Sequence, residues 1–457
     1  MPLEDLGFPG ISSTFLSVGA SLLTVHFVDS EHLLVTFSLR GLVPRLEGDP
    51  PDHDDRMVAG LLVELPSGKV LARTEWHLHD HGRYLWNLGG GRFLLREGNV
   101  LWTLAPVANL QSGQPFARTS FLHRHGSLEA LIVSPDSKLI TVETRSLSSS
   151  NLGDSPLGSP VTLDFYRISG AGTESSPIVG TPAGSVRAAS EINLPINADG
   201  YLRSVDTLNN GKWSVAFEPV NGKTIKLAPI DSSCPPGLNL VSPTQFLAMS
   251  CRGGTGRVTM MAFDFNLHEM WEEPLGFVGQ PAFSLAPVVG RFAVSRVNSS
   301  SSTDILPSEE DTPMSQEVRV YQTQTGDLLL KLSCSPVIRT SENFDLSADG
   351  MRVVVVRNGA IEVYRLPELT AADRADLAEL QKAAPPPGSG SINLGAIAEA
   401  ESKEVDERAA SVRAELTVST AATARGSEAV GDTPTPRKPP TLLNPGEKAE
   451  FQDKSPR

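Results

Sequence analysis

Cysteine and long apolar runs are both scarce in this sequence. The 457 residues include only three cysteines, Cys234, Cys251 and Cys334, too few and too scattered for a disulfide scaffold or a zinc ribbon. No stretch reaches about 18 consecutive apolar residues, so the sequence predicts no membrane-spanning helix. The opening residues MPLEDLGFPGISSTF lack the basic and apolar regions of a secretory signal. We therefore expect a soluble cytoplasmic protein from the chain as given, or an exported one if a signal precedes it.

Positive charge is also in deficit. Lys and Arg together number 39, against 53 Asp and Glu, and the formal net charge is −14. A nucleic-acid-binding protein normally carries a basic stripe, and none is visible in this sequence. The acidic balance disfavours nonspecific contact with anionic membranes or phosphate backbones. We expect no nucleic-acid partner.

Familiar catalytic motifs are absent as well. The sequence has no G-x-S-x-G elbow, no Walker A loop and no H-E-x-x-H zinc motif. Three consecutive glycines, Gly89 to Gly91, follow a strand-like run, but the run NLGGGRFLL is typical of a hairpin turn rather than of a phosphate loop. The sequence therefore predicts no cofactor.

Composition divides the chain near residue 384. Before it, short apolar runs alternate with clusters of Gly, Pro, Asn, Asp and Ser, which is the pattern of many short antiparallel strands. Residues 368–384 have helix formers with helical apolar spacing and predict one helix docked on the body. Residues 385–457 are rich in Ala, Glu, Ser, Thr and Pro, with Phe451 as the single aromatic residue. We predict a disordered tail there, because such a segment buries too little apolar surface to offset its ordering entropy.

Two kinds of unit recur in the body. Residues 60–76 and 317–333 each give an apolar strand, a tight turn with a central glycine, Gly68 or Gly326, and a second strand. Residues 132–144, 196–208 and 345–366 each give a strand, a turn that contains aspartate, and another strand. Self-similarity at this scale indicates a repeat architecture.

The units can be arranged as about seven four-stranded blades. Their innermost strands are expected to begin near residues 22, 83, 128, 199, 238, 281 and 342. Polar inserts at 42–56, 146–159, 171–184 and 299–315 lengthen some of the intervals. Without the inserts, every interval approaches the roughly 40–45 residues of a propeller blade.

The unit SADGMRVVVVRNGAIEVYRL (347–366) resembles a repeat of the WD40-like and YVTN-like β-propeller superfamily. The chain has neither the Gly-His pair that opens a WD40 repeat nor the Trp-Asp pair that closes it. The resemblance implies an all-β propeller over residues 1–367. The last blade lacks an outer strand in this arrangement, and we predict that the strand-like residues 13–18 supply it and lock the first blade to the last.

The sharpest local feature is WHLHDHGRYLW (76–86). In an extended segment His77, His79 and His81 would point to one side, where three imidazoles could bind a metal. The segment could instead be a blade connection, with Trp76 and Trp86 packed between sheets. His123 and His125 occupy the equivalent place before the third blade, so a shared ligand surface is a further possibility.

The cysteines allow one structural hypothesis. A hairpin that turns near Pro243 and Thr244 would bring Cys251 almost opposite Cys234. A disulfide between them is geometrically plausible, although it would not persist in a reducing cytoplasm. Two reduced, half-buried thiols are the alternative.

Two functions fit these patterns best, and a purely structural role in a larger assembly is a third possibility. A ring without a catalytic set favours a monomeric, non-enzymatic binding scaffold for a protein or peptide. The alternative is a propeller enzyme similar to lactonases, hydrolases or lyases, with metal dependence through His77, His79 and His81.

Overall fold

Seven small antiparallel sheets form a ring in the computed structural model of the chain. Six sheets have four strands and one has three, and strands adjacent in a sheet follow one another along the chain. Seven such blades around one axis make a β-propeller, as the sequence predicts. The structure describes residues 1–8, 23–43, 55–78, 83–98, 100–123, 127–145, 161–188, 194–197, 200–209, 211–219, 224–252, 257–265, 268–276, 281–299, 313–334 and 342–382.

In blades 1 to 4 the chain runs from the innermost strand to the outermost. Blade 1 has β1 (Leu23–Phe27), β2 (His32–Val43), β3 (Asp55–Glu64) and β4 (Val70–Leu78). Blade 2 has β5 (Leu85–Gly89), β6 (Arg92–Glu97), β7 (Val100–Leu104) and β8 (Thr119–His123). Blade 3 has β9 (Ser127–Val133), β10 (Leu139–Arg145), β11 (Val161–Ser169) and β12 (Val179–Ala188). Blade 4 has β13 (Ile196–Asn197), β14 (Gly200–Asn209), β15 (Lys212–Pro219) and β16 (Ile225–Asp231).

Blades 5 to 7 repeat this order, and a helix follows the last strand. Blade 5 has β17 (Gly237–Ser242), β18 (Gln245–Arg252), β19 (Arg257–Asp264) and β20 (Glu269–Gly276). Blade 6 has β21 (Ala282–Ala286), β22 (Arg291–Ser299), β23 (Pro313–Gln322) and β24 (Leu328–Cys334). Blade 7 has β25 (Phe344–Leu346), β26 (Arg352–Arg357) and β27 (Ala360–Arg365). Helix α1 (Ala371–Lys382) comes next, and no helix in the described ranges is long and apolar enough to span a bilayer.

The predicted blade order is confirmed. The innermost strands begin at residues 23, 85, 127, 196, 237, 282 and 344, each within a few residues of its predicted start. Residues 60–76 and 317–333 form the hairpins between third and fourth strands in blades 1 and 6. Gly68 and Gly326 turn these hairpins with φ values of 72° and 74°, which explains their glycines.

The aspartate-containing units open blades 3, 4 and 7. In blade 3 the Ser134 hydroxyl donates to Asp136 at 2.6 Å, and in blade 7 Ser347 donates to Asp349 at 2.6 Å. These side-chain bonds close the turn between first and second strands.

Hydrophobic cores lie between blades rather than within them. The described residues form seven buried clusters, and each joins one pair of neighbouring blades. The cluster that closes the ring packs Val354 and Ile361 of blade 7 against Leu23 and Val25 of blade 1. Because alternate residues of a strand point to opposite sides of the sheet, each blade contributes to two of these cores.

Antiparallel order sorts the connections onto two faces of the ring. The turn face carries the connections from first to second strands and from third to fourth strands. The insert face carries the connections from second to third strands and those between blades. Three connections of the insert face, 44–54, 146–160 and 300–312, are long and lie outside the described residues.

Three arginines at one blade position join neighbouring blades on the turn face. Each is the first residue of a second strand and donates to a main-chain carbonyl in the turn of the next blade. The pairs are Arg92 with Ser137 at 3.3 Å, Arg291 with Gly350 at 2.7 Å, and Arg352 with Ser30 at 2.5 Å.

The N-terminal residues close the last blade. Met1 and Ile361 exchange main-chain hydrogen bonds of 3.0 and 2.8 Å, and the Leu3 N–H donates to Gly359 at 2.8 Å. Leu3 is buried in the core between blades 7 and 1. The closing strand expected at residues 13–18 lies outside the described residues and stays a prediction.

Helix α1 lies within the segment predicted to be helical, at shorter bounds. Thr370 and Asp373 cap its first turn by reciprocal hydrogen bonds of 2.7 to 3.1 Å. Leu377 is buried against Gly290 at the turn face of blade 6. The predicted disordered tail, 385–457, lies beyond the described ranges.

Candidate functional site

The structure describes one member of the predicted histidine triplet. His77 is the next-to-last residue of β4 and is half-buried, and its Nδ1 is buried without a hydrogen-bond partner among the described residues. His79 and His81 fall outside the described residues. Among the side chains that are described, no group of three or more His, Cys, Asp or Glu residues could hold a metal ion. The metal site therefore stays a prediction.

The second histidine pair lies at the equivalent blade position. His123 is exposed and ends β8, the outer strand of blade 2, as His77 nearly ends the outer strand of blade 1. Both strands finish at the insert face. His125 lies outside the described ranges, so the proposed shared ligand surface also stays a prediction.

The two cysteines of the predicted pair come together at the start of blade 5. The hairpin between β17 and β18 turns at Pro243 and Thr244, and the Cys234 and Cys251 Cα atoms lie 5.6 Å apart with their sulfur atoms at 2.07 Å. The Ser232 hydroxyl accepts from the Cys251 N–H at 2.8 Å and so fixes the connection against β18.

A polar cluster that sequence reasoning missed lies where blades 6, 7 and 1 meet. Asp345 of β25 is its centre and is buried. Its Oδ1 accepts the Ser284 hydroxyl of β21 at 2.5 Å, and its Oδ2 accepts the Phe27 N–H of β1 at 2.8 Å. The Nδ1 of His26 lies 3.9 Å from the same Oδ2. The cluster therefore joins three innermost strands at the seam of the ring.

Burial dominates the electrostatics of this cluster. Burial, together with the smaller effect of the Arg83 guanidinium, lowers the pKa of His26 to about 3. Burial raises the pKa of Asp345 to about 6, against hydrogen bonds from Ser284, Phe27 and Leu346 that favour the carboxylate. His26 is therefore a neutral imidazole at neutral pH, and its Nε2 is buried without a partner among the described residues.

The cluster contains serine, histidine and aspartate, but their order does not suit nucleophilic catalysis. In a catalytic triad the serine donates to the imidazole and the aspartate orients that imidazole. Here the Ser284 hydroxyl donates to Asp345 and accepts the Leu346 N–H at 2.9 Å. Ser284 is thus committed to the carboxylate, and the arrangement joins blades rather than activating a nucleophile.

An ion pair bridges two blades at the insert face. Arg83 precedes β5, and its Nε lies 2.6 Å from Oε1 of Glu342, which precedes β25 in blade 7. The Arg83 side chain is 48% exposed and its guanidinium stacks on Trp86 at 5.5 Å. A ligand at this face could therefore reach the Arg83 guanidinium.

Comparison with known proteins finds similarity in fold. No protein-family profile matches the chain, and no curated protein matches it in sequence. Among solved structures it is similar to the acylaminoacyl peptidase of Pyrococcus horikoshii, at TM-score 0.46 and 10% identity over 78% of this chain and 53% of that one. It is similar to a putative TolB from Agrobacterium tumefaciens, at TM-score 0.33 and 13% identity over 66% of this chain and 94% of that one.

A third similar structure is the C-terminal WD40 domain of Sif2, at TM-score 0.33 and 11% identity over 74% of this chain and 91% of that one. This chain spans about half of the length of the Pyrococcus peptidase. Such likenesses concern the fold, which its own seven blades and their seven shared cores establish as a β-propeller.

Proposed function

We propose that this chain is a non-enzymatic scaffold that binds a protein or peptide at the insert face of the propeller. The observation that carries the proposal is the position of three long connections. Residues 44–54, 146–160 and 300–312 join second to third strands in blades 1, 3 and 6, and the strands that flank them end on this one face. Connections carried on a rigid scaffold are the usual place for binding residues.

The turn face supports the proposal by contrast, because its polar groups bind each other. Arg92, Arg291 and Arg352 donate to the turns of neighbouring blades. Its one long described connection, residues 105–118, packs Phe116 against Trp76 and is held to blade 3 by a hydrogen bond from Asn109 to Gly172 at 2.7 Å. These side chains of the turn face therefore hold neighbouring blades together.

The polar cluster at the seam also favours a scaffold. Ser284, the hydroxyl of this cluster, is held by Asp345 and Leu346. Neutral His26 lies beside the carboxylate, and the Ser284 hydroxyl donates its hydrogen bond to Asp345 rather than to the imidazole. The serine, histidine and aspartate of this cluster thus serve the closure of the ring.

A peptide-display library selected on the full chain tests the proposal. Selected peptides should lose at least about tenfold in affinity, roughly 1.4 kcal/mol, when residues 44–54, 146–160 or 300–312 are replaced by Asn-Gly. They should retain affinity for a control with Gln111→Ala and Ser112→Ala on the turn face. Loss in the control alone, or no selectable peptide, would contradict the proposal.

A metal-dependent enzyme is the second candidate. The observation in its favour is the buried, unpartnered Nδ1 of His77, since a metal or a ligand could satisfy that atom. Metal analysis of the purified full chain tests it. Stoichiometric zinc that disappears in the His77→Ala variant would support it, and a chain that binds no metal would reject it.

A further inference from the structure

The disulfide at the start of blade 5 lies at the insert face and is partly open to solvent. Cys234 belongs to the connection from β16 to β17, and Cys251 lies near the end of β18. Both cysteines are half-buried, and Ser233 and Pro235, which flank Cys234, are exposed. Access to the sulfur atoms is one of the conditions for thiol–disulfide exchange, and this bond meets it in the folded chain.

Ser232 makes the two sulfur atoms of this bond chemically unequal. Its side chain is buried, and its Oγ accepts the N–H of Cys251 at 2.8 Å and the N–H of Cys234 at 3.4 Å. The same Oγ lies 3.7 Å from the Cys234 Sγ. A disulfide sulfur has no proton, so the Ser232 hydroxyl is the donor in this contact. No hydrogen bond among the described residues joins that hydroxyl to the Cys251 sulfur.

The contact with Ser232 favours one direction of thiol–disulfide exchange. A thiolate that attacks one sulfur of a disulfide expels the other as a thiolate, and the better stabilised thiolate leaves faster. A hydroxyl that donates to a thiolate makes a charge-assisted hydrogen bond and stabilises it. Cys234 should therefore be the leaving group, and an attacking sulfur should bond to Cys251.

We propose that Cys234 and Cys251 form a reversible thiol–disulfide exchange site, in which Ser232 is a positioning residue that makes Cys234 the leaving group. First, the thiolate of a low-molecular-weight thiol such as glutathione attacks the Cys251 Sγ. The bond between the two cysteines breaks, and its electron pair passes to the Cys234 Sγ. A second small thiolate then attacks the glutathione sulfur of this mixed disulfide and releases the Cys251 thiolate. The chain gains two electrons and two protons, and two small thiols become one small disulfide.

Hydrogen bonds hold the connection in place when the disulfide is open. The Ser233 N–H donates to the Cys251 carbonyl at 2.8 Å, and the Ser232 N–H donates to the Gly211 carbonyl at 2.8 Å. The Trp213 indole donates to the Ser232 carbonyl at 3.1 Å. These bonds do not involve the sulfur atoms, so the two thiols stay close together in the reduced chain and the disulfide can form again.

Reaction of the folded full chain with reduced glutathione, without denaturant, tests the proposal. Samples quenched with acid are mapped by mass spectrometry. Glutathione should be found on Cys251 rather than on Cys234. In a Ser232→Ala variant this preference should disappear and reduction should be at least about tenfold slower, because the departing thiolate loses its donor.

Two matched variants separate this role of Ser232 from a structural one. Ser232→Thr keeps a hydroxyl, so it should restore the attachment at Cys251 and most of the parent rate. Ser233→Ala removes the neighbouring exposed hydroxyl, which donates to the Cys251 carbonyl at 3.1 Å, and should change neither. Cys334 is buried, so its failure to react shows in each variant that the propeller is folded.

Oxidised glutathione, added to the reduced folded chain, should restore the disulfide. Four results would overturn the proposal: a disulfide that glutathione opens only after unfolding, attachment at Cys234, an unchanged rate in Ser232→Ala, or equal losses of rate in Ser232→Ala and Ser232→Thr. The measurements on the parent decide between reversible and permanent cross-linking even where a variant does not fold.

Discussion

Arg291 shows how single residues hold this ring together. Its side chain is almost fully buried, and its guanidinium donates to Gly350 and Pro367 at 2.7 Å each and to Gln322 at 3.2 Å. These bonds connect blade 6 to blade 7 and to the chain that enters α1. A buried charge of this kind is tolerated because each of the three guanidinium nitrogens donates to an acceptor.

Replacing Arg291 should therefore be costly. Arg291→Met leaves its acceptors buried and unpaired, and we expect a loss of about 3 kcal/mol in the free energy of unfolding. Urea denaturation measures it, with Arg365→Met, a side chain that is 76% exposed, as the control. Equal urea midpoints for the parent and Arg291→Met would contradict this role.

The buried pair at the seam makes opposite contributions to the pH dependence of stability. The pKa of His26 falls from 6.5 to about 3 on folding. Its contribution to the free energy of unfolding is therefore fully present above pH 6.5 and is lost as the pH falls toward 3. The pKa of Asp345 rises from 3.8 to about 6, so folding becomes less favourable as the pH rises from 3.8 through 6. The two effects oppose each other between pH 4 and 6.

Removing the imidazole should expose the contribution of Asp345. We expect the destabilisation caused by His26→Gln to be greatest at pH 7 and to shrink toward pH 4, by up to about 1.4 kcal/mol per pH unit. Urea denaturation at several pH values checks it, with the largely exposed His268 as a His268→Gln control. A destabilisation by His26→Gln that does not vary with pH would refute the assignment.

At the scale of elements, the N-terminal segment acts as part of blade 7. Leu3 is 2% exposed and packs in the core shared by blades 7 and 1. We expect Leu3→Ala to lower the free energy of unfolding by about 3 kcal/mol through the cavity that it leaves. Thermal or urea denaturation measures the loss, and the exposed neighbour Glu4 provides the control as Glu4→Ala. An unchanged stability would mean that residues 1–3 do not close the ring.

The connection from blade 4 to blade 5 is the second element with a direct test. Cys234 and Cys251 lie at a Cα separation typical of disulfides, whereas burial raises the pKa of the Cys334 thiol to about 12. We expect the oxidised, folded chain to resist alkylation at all three cysteines. Unfolded without reductant, it should gain one alkyl group, at Cys334, and with reductant three. Three additions without reductant would show that Cys234 and Cys251 are reduced.

At the scale of the whole molecule, the sequence predicts the ring better than it predicts the site. Blade order follows from local signals, since hairpins such as 60–76 and 317–333 carry their own turn glycines and alternating strands. Blade interfaces are built from the same alternation, so the positions of the strands imply the cores. The arginine at the start of β6, β22 and β26 is a repeat signal that the sequence contains and that hairpin patterns do not reveal.

The polar cluster could not be predicted in the same way. His26, Ser284 and Asp345 are far apart in sequence and share no spacing, and they meet only because the ring brings blade 7 back to blade 1. Local patterns predict that the ring closes, but they do not show which side chains meet where it closes. The histidine triplet is the opposite case. Its close spacing in sequence predicts a site, but His79 and His81 lie outside the described residues.

The central claim is a ring of seven blades closed between blade 7 and blade 1. A crystal structure of the full chain tests it most directly. It should show seven sheets, with the Asp345 carboxylate accepting the Phe27 N–H and residues 1–3 paired with β27. A ring of six or eight blades, or a chain in which blade 7 does not contact blade 1, would contradict the account.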